Sequence, residues 1–236
     1  MAIAIQKILL FGASGSIGSA LHEKFCEKSW QVVSVSRDGS IGHNQLRWNP
    51  LLETSAEVLG QIRAHGPFDA VCWAQGKNCN DSIYAFDVEQ HREVYEANVL
   101  YILASLKVLL KAGVLKTPSR LCVISSIWQE IARQNKLSYG ISKAALKGLV
   151  LSLANDLGVD GHLINAVLPG VLDTPMTSKN LSDAQVQTIT SATQFGRLPN
   201  LKDVENTVHY LCSSENTGVT GQFIKIDLGF TDVRVI

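Results

Sequence analysis

Tyr139 and Lys143 lie four residues apart in the run Ser138-Tyr-Gly-Ile-Ser-Lys143, and a serine pair, Ser125-Ser126, closes an apolar run thirteen residues upstream of the tyrosine. Residues four apart on a helix share one face, so a phenol and an ammonium can address one pocket. A cation beside a phenol favours the phenolate and lowers its pKa from a free value of about 10. Tyrosine then becomes a usable acid and base near neutral pH. Any exposed polar helix face can carry the same spacing, so the surrounding elements decide what the pair means.

Those elements alternate. Short apolar, β-branched runs at 3–11, 31–36, 69–73, 121–125, 163–168 and 222–227, with a weaker one at 45–48, read as strands. Helical patterns fall between them, near 16–28, 54–65, 87–112, 138–157 and 202–212. This order predicts an α/β, doubly wound, mostly parallel seven-stranded sheet with helices on both faces. No Pro/Ser-rich linker divides residues 1–236, so one domain is expected. The stretch 176–198 is polar, weakly periodic and follows a strand end, where ligands bind in such sheets, and it reads as a substrate lid.

Composition narrows the partners. Lys+Arg and Asp+Glu are balanced at 21 each, which leaves no electrostatic case for nucleic acid. No apolar stretch reaches the ~18 residues of a membrane span, and the N-terminus lacks a signal-peptide layout. Cys26, Cys72, Cys79, Cys122 and Cys212 form neither a disulfide framework nor a zinc pattern, so reduced thiols and a cytoplasmic location are expected. The six histidines are scattered without metal-like spacing, and no metal is expected. Ser126 lacks the Gly-x-Ser-x-Gly surroundings of a hydrolase nucleophile.

The turn Gly12-Ala-Ser14-Gly15-Ser16-Ile17-Gly18 follows the first strand and opens the first helix. Glycines there let phosphate oxygens approach backbone N–H groups at the helix N-terminus; the alternative is an ordinary strand-to-helix turn. The second strand ends Ser36-Arg37-Asp38. A carboxylate at such an end suits the ribose of NAD, whereas a guanidinium suits the 2′-phosphate of NADP. Ser36-Arg37 therefore favours NADP(H) over NAD(H), with Asp38 keeping NAD(H) open and pairing with Arg37 as the competing role.

Together these residues resemble the short-chain dehydrogenase/reductase family, in its compact, single-domain, 3-oxoacyl-reductase-like branch with a Rossmann fold. The resemblance spans nearly the whole chain. Asn98 falls in the long helix before the catalytic strand, and Asn165 to Met176, with Pro169, Gly170, Val171 and Thr174, is similar to the nicotinamide-side segment. Phe195 to Pro199 with Asp203-Val, and Thr220-Gly-Gln with Asp227-Leu-Gly229, resemble the segments that follow. The resemblance implies that Tyr139 exchanges a proton with the substrate oxygen. It implies also that Lys143 tunes the tyrosine and holds the nicotinamide ribose, that Ser126 binds the reacting oxygen, and that Asn98 supports a water relay. Gly12, Ser14, Gly15, Ser16, Ile17 and Gly18 would meet the phosphates and ribose, and Pro169, Gly170, Val171 and Thr174 the nicotinamide.

The chain also departs from the family pattern. The glycine spacing is that of the longer sugar-modifying branch, and Trp73-Ala74-Gln75-Gly76 stands for Asn-Asn-Ala-Gly. Ala74, Gln75 and Gly76 are still expected to contact the cofactor through their backbone. Asn49 stands where an aspartate commonly binds adenine, and Leu228 replaces a glycine of the terminal motif, a change expected to be harmless. Trp128 and Arg133 are placed either to contact substrate or to be a packed loop and a solvated cation. The expected activity is NADP(H)-dependent carbonyl reduction or alcohol oxidation on a small molecule, by a homodimer or homotetramer. An NAD(H)-dependent dehydrogenase of the same fold and a non-catalytic NADP-binding regulatory protein are the alternatives. The polar lid leaves a polar ketone, a sugar and an acyl thioester open.

Overall fold

Strands that read as unbroken apolar runs are covered on both faces. In the computed structural model β1 (Lys7–Phe11), β4 (Phe68–Trp73), β5 (Leu115–Ile124) and β6 (Leu163–Pro169) form the middle of the sheet. With β2 (Gln31–Ser36), β3 (Gln45–Arg47) and β7 (Phe223–Ile226) they give the order β3-β2-β1-β4-β5-β6-β7. Every neighbouring pair is parallel, so the expected mostly parallel sheet is parallel throughout. The structure describes residues 5–37, 44–174, 177 and 181–233; Ile3, Asp38, Pro175 and Met176, singled out above, lie outside these described residues.

Side chains alternate across each strand, and this sorts the core into two layers. Ile8 and Leu10 join Cys72, Cys122 and Val167 under α1 (Ser16–Glu27) and α7 (Leu201–Cys212). Leu9, Phe11, Val71 and Trp73 face the other way, toward α2 (Ala56–His65), α4 (Tyr101–Ala112) and α5 (Leu137–Gly158). The strand order reverses between β1 and β4, which opens a crevice beyond their carboxyl ends. Among the described residues no helix is long and apolar enough to cross a membrane.

Five local expectations are corrected. The strand expected over 3–11 begins at Lys7, and Ile5 is exposed. The strand expected at 121–125 starts at Leu115. Register jumps from Phe68↔Leu115 to Ala70↔Arg120, so the four residues around Pro118 loop out and the proline hides the strand in the sequence. The helix expected over 87–112 is α3 (Val88–Tyr95), a π-helical turn at Glu96–Leu100, and α4. The Tyr101 N–H reaches back to the Glu96 carbonyl, and such turns concentrate at functional sites. Leu228 is not a neutral replacement for glycine: its φ of 54° lies in the left-handed region, at a cost of about 1–2 kcal/mol for a residue with a Cβ. The stretch 176–198 contains a helix, α6 (Asp183–Ser191), started by a capping box of Ser182 and Gln185.

Two helical glycines have opposite roles. A Cβ on Gly18 would lie 2.0 Å from the Gly12 carbonyl oxygen, while one on Gly148 would meet nothing within 4 Å. Gly18→Ala is expected to lower stability by about 1–3 kcal/mol through overpacking. Gly148→Ala should raise it by roughly 0.5–1 kcal/mol through helix propensity. Urea unfolding followed by circular dichroism reads both, and a shift of the same sign in the two variants would contradict this packing.

Candidate active site

β5 ends at Ile124 and delivers Ser125 and Ser126 to the carboxyl edge of the sheet. Ser126 accepts from the Trp128 N–H at 3.3 Å, and its hydroxyl reaches the phenol of Tyr139 on the first turn of α5. One turn further, the Lys143 ammonium sits 5.7 Å from the centre of the Tyr139 ring and donates to the Ile124 carbonyl at 3.0 Å. The three residues named from the sequence thus meet at one point.

Their electrostatics differ from the sequence expectation. Burial pushes the Tyr139 phenol above its ordinary range, and the Ser126 hydrogen bond only pulls it part of the way back. Burial also brings Lys143 down to about 8. The expected lowering of the phenol by the lysine is therefore absent from this geometry. The ammonium is occupied by a carbonyl, and removal from water disfavours the charged form of both groups.

Asn98 stands in the π-helical turn and is buried. Its side-chain oxygen accepts from the Lys77 N–H at 2.7 Å, and its amide donates to the Lys77 carbonyl at 3.0 Å and to Ser142 Oγ at 2.8 Å. Asn98 therefore ties the loop after β4 to α5. Gly76 permits this contact, since a Cβ there would lie 3.0 Å from Asn98 Oδ1 and 3.8 Å from Lys143 Nζ.

A cleft of about 880 Å³ occupies the reversal of strand order. Gly12, Ser14, Gly15, Ser36, Arg37, Ala74, Gln75 and Gly76 line it, as read from the sequence, and so do Leu51, Lys77, Glu93, Glu96 and Tyr101, which the sequence reading missed. Lys77 and Glu96 were signalled by lying beside Gly76 and close to Asn98; Leu51 and Tyr101 carried no signal. Gly12 has φ +78°, and a Cβ on it would lie 2.5 Å from the Gln75 nitrogen. The cradle is therefore open only because the residue is glycine. Ser16, Ile17 and Gly18 form the first turn of α1 and support that cradle from behind. Asn49 Oδ1 accepts from the Leu51 N–H at 3.2 Å, so its side chain serves its own turn while Leu51 faces the cleft. Tyr101 is pushed up by burial, with the Arg37 charge acting in the opposite direction, which puts the guanidinium at the mouth of the cleft. Both side-chain amide atoms of Gln75 are buried without a hydrogen-bond partner.

Beyond β6, a Cβ on Gly170 would lie 2.9 Å from Asp227 Cβ, and the Gly170 N–H donates to the Ile226 carbonyl at 2.9 Å. Pro169 ends β6, Val171 is half-buried, and buried Thr174 accepts from the Thr177 N–H. The Arg133 guanidinium stacks over Trp128 at 5.6 Å from the ring centre. Among the described residues no group of three or more His, Cys, Asp or Glu could hold a metal ion. The space, the glycine cradle and the Arg37 cation in the lining fit a dinucleotide, while Ser126, Tyr139 and Lys143 are not among the residues that line this cleft.

Comparison with known proteins agrees in kind. A family model described as enoyl-(acyl carrier protein) reductase matches residues 12–231. The 3-oxoacyl-[acyl-carrier-protein] reductase FabG of Escherichia coli is 28% identical over 233 residues, covering 94% of this chain and 95% of that protein. Among solved structures, a short chain dehydrogenase family protein from Francisella tularensis superposes with a TM-score of 0.82 at 24% identity, over 98% of this chain and 100% of that one. ElxO with NADP bound gives 0.81 at 20% identity, over 98% and 100%. The match over almost the full length, with a cleft and a Ser126–Tyr139–Lys143 cluster at its edge, makes this chain a member of the short-chain dehydrogenase/reductases, oxidoreductases that act on CH–OH and C=O groups.

Proposed function

We propose that the chain is an NADP(H)-dependent carbonyl reductase or alcohol dehydrogenase for a small ketone or secondary alcohol. The observation that carries this reading is the meeting of the Ser126 hydroxyl, the Tyr139 phenol and the Lys143 ammonium. When bound, the nicotinamide supplies or accepts the hydride. Ser126 orients the substrate oxygen, and Tyr139 gives it a proton as negative charge builds there. A phenol held above its ordinary pKa is protonated at neutral pH, which suits the reductive direction. Lys143 then faces the phenolate left behind, and an ammonium a few ångströms away is worth about 2–4 kcal/mol at an effective dielectric of about 20. Asn98 holds the loop after β4 against α5, in the position from which it would support proton exchange with solvent.

Arg37 is the side chain proposed to take the 2′-phosphate, in line with the NADP bound to ElxO. Pro169, Gly170, Val171 and Thr174 would flank the nicotinamide, and α6 with its neighbours would act as the lid. The exposed apolar side chains Leu103 and Leu110 on α4 and Leu151 on α5 support a homodimer or homotetramer. The five free cysteines fit a cytoplasmic location.

A panel of ketones, sugars and acyl thioesters with NADPH should give loss of nicotinamide absorbance with at least one member. Tyr139→Phe should lower kcat by about 10²–10⁴-fold. The reductive kcat/KM of the wild type should hold steady below pH 7 and fall above about 8, where Lys143 loses its proton. Full activity in the phenylalanine variant would exclude this chemistry.

Arg37→Ala should weaken NADPH by about 10–100-fold, the value of a charge-assisted hydrogen bond, and change NADH by less than about threefold. Fluorescence titration with both nucleotides measures this. Equal losses would take the phosphate away from Arg37 and favour NAD(H).

Burial also makes Lys143 a stability liability. Its folded pKa of about 8 lies below the usual 10.5, so the folded protein binds fewer protons between those values and stability rises with pH across that window. At pH 7 the buried charge costs up to about 3 kcal/mol. Lys143→Met should therefore raise stability at pH 7 by roughly 1–3 kcal/mol, with the lost Ile124 hydrogen bond offsetting part of the gain. It should also flatten the pH dependence between 8 and 10.5 while abolishing turnover. Denaturant melts at pH 7 and pH 10 test this, and a destabilised variant at pH 7 would refute it.

A further inference from the structure

The helix that carries Tyr139 and Lys143 has no cap of its own. The N-cap of α5 is Lys136, which offers no acceptor, and the first turn holds no acidic residue. A helix start with unsatisfied N–H groups and a positive dipole end calls for an acceptor, best an anionic one. Asp81, far away in the sequence, supplies it. The Ser138 N–H donates to both carboxylate oxygens of Asp81, at 3.0 and 3.2 Å, and the Ser138 hydroxyl donates to Asp81 Oδ2. Asp81 is 6% exposed and Ser138 fully buried, so no water replaces these bonds at low cost. Burial works against the carboxylate charge, and the two kinds of bond from Ser138, together with the Cys79 thiol and the His91 charge, outweigh it.

The surroundings hold this contact in register. The Asp81 N–H donates to the Asn135 carbonyl, and the Leu137 N–H to the Asp81 carbonyl, each at 3.3 Å. Lys136 Nζ reaches Asn78 Oδ1 at 2.8 Å and the Cys79 carbonyl at 3.0 Å. His91 on α3 meets the Ser138 hydroxyl at 2.9 Å, which leaves that hydroxyl bonded on both sides. The same loop is fixed at its other end, where Asn98 grips Lys77. Tyr139 is the residue that follows Ser138, so whatever sets Ser138 sets the direction of the phenol.

We propose that Asp81 is a positioning residue, which caps α5 from the loop after β4 and, through Ser138, fixes where Tyr139 and Lys143 stand relative to the substrate oxygen. The assignment rests on the reading of Tyr139 as the proton donor. It extends that reading to a carboxylate that lies outside the cleft lining. Misplacement of a catalytic group by a fraction of an ångström to one ångström is costly in rate and leaves distant binding contacts intact.

The test compares the wild type with Asp81→Ala and Asp81→Asn, measuring kcat and KM, NADPH affinity by fluorescence, and hydrogen exchange across residues 137–143. Asp81→Ala should lower kcat by about 10–100-fold, leave NADPH affinity within about threefold, and speed exchange in the first turn of α5. Asparagine keeps an oxygen for the Ser138 N–H and gains a donor for its hydroxyl, so it should recover a large part of the lost kcat. An alanine variant with kcat within twofold of wild type, or with first-turn exchange unchanged, would overturn the assignment. So would parallel losses of kcat, NADPH affinity and melting temperature without recovery in the asparagine variant, since a general brace would give them. If the wild type turned over no carbonyl at all, the chemical reading would fail by itself, and exchange in residues 137–143 would still judge the hold of Asp81 on α5.

Discussion

The hydrogen bond from Lys143 to the Ile124 carbonyl joins the two halves of the site. One partner ends the strand that delivers Ser126, and the other sits a turn after Tyr139, so this contact sets the depth of α5 against the edge of the sheet. It puts an ammonium where water cannot reach it well, and burial lowers its affinity for a proton. A methionine or leucine would fill the space without that cost. The cost follows from placing a positive charge 5.7 Å from the ring of a buried phenol, the arrangement that the proposed proton transfer would use.

Three further strains lie near the same edge. Leu228 takes a left-handed backbone that glycine would adopt freely. Gln75 buries both polar atoms of its amide without partners beside the glycine cradle. The helix over Asn98 loosens into a π turn, and this turn puts the asparagine where it can bind Lys77 and Ser142 together. Elsewhere the sheet carries apolar layers on both faces, and α2, α3, α6 and α7 start with side-chain caps, the register jump of β5 around Pro118 being a departure away from this edge. Departures from local preference concentrate where the chemistry is expected.

Much of this was legible beforehand. Periodicity gave all seven strands and their order of appearance, because buried parallel strands must be apolar on both faces. The Gly12–Gly18 turn and the Ser126, Tyr139 and Lys143 set were legible because each needs a particular residue type at a particular spacing. The start of β5 was not, since Pro118 sits in residues that loop out of the ladder. The π turn was not, since its residues read as ordinary helix. Asn49 was expected at the adenine from its place in the chain; that its Oδ1 accepts from the Leu51 N–H, and that Leu51 lines the cleft, were not legible there.

The sequence by itself determined the sheet, the glycine-lined crevice and the choice of Ser126, Tyr139 and Lys143 as the candidate reacting groups, because these depend on residue types and on spacings within single elements. Only the tertiary structure decided their electrostatics and their support. Whether Tyr139 is pushed up or down depends on how much water burial removes and on what Lys143 already holds, and neither is a property of spacing. That Asp81 caps a helix starting more than fifty residues later depends on β4 and β5 lying side by side. Distances across a sheet are set by packing, and a linear pattern carries no measure of them.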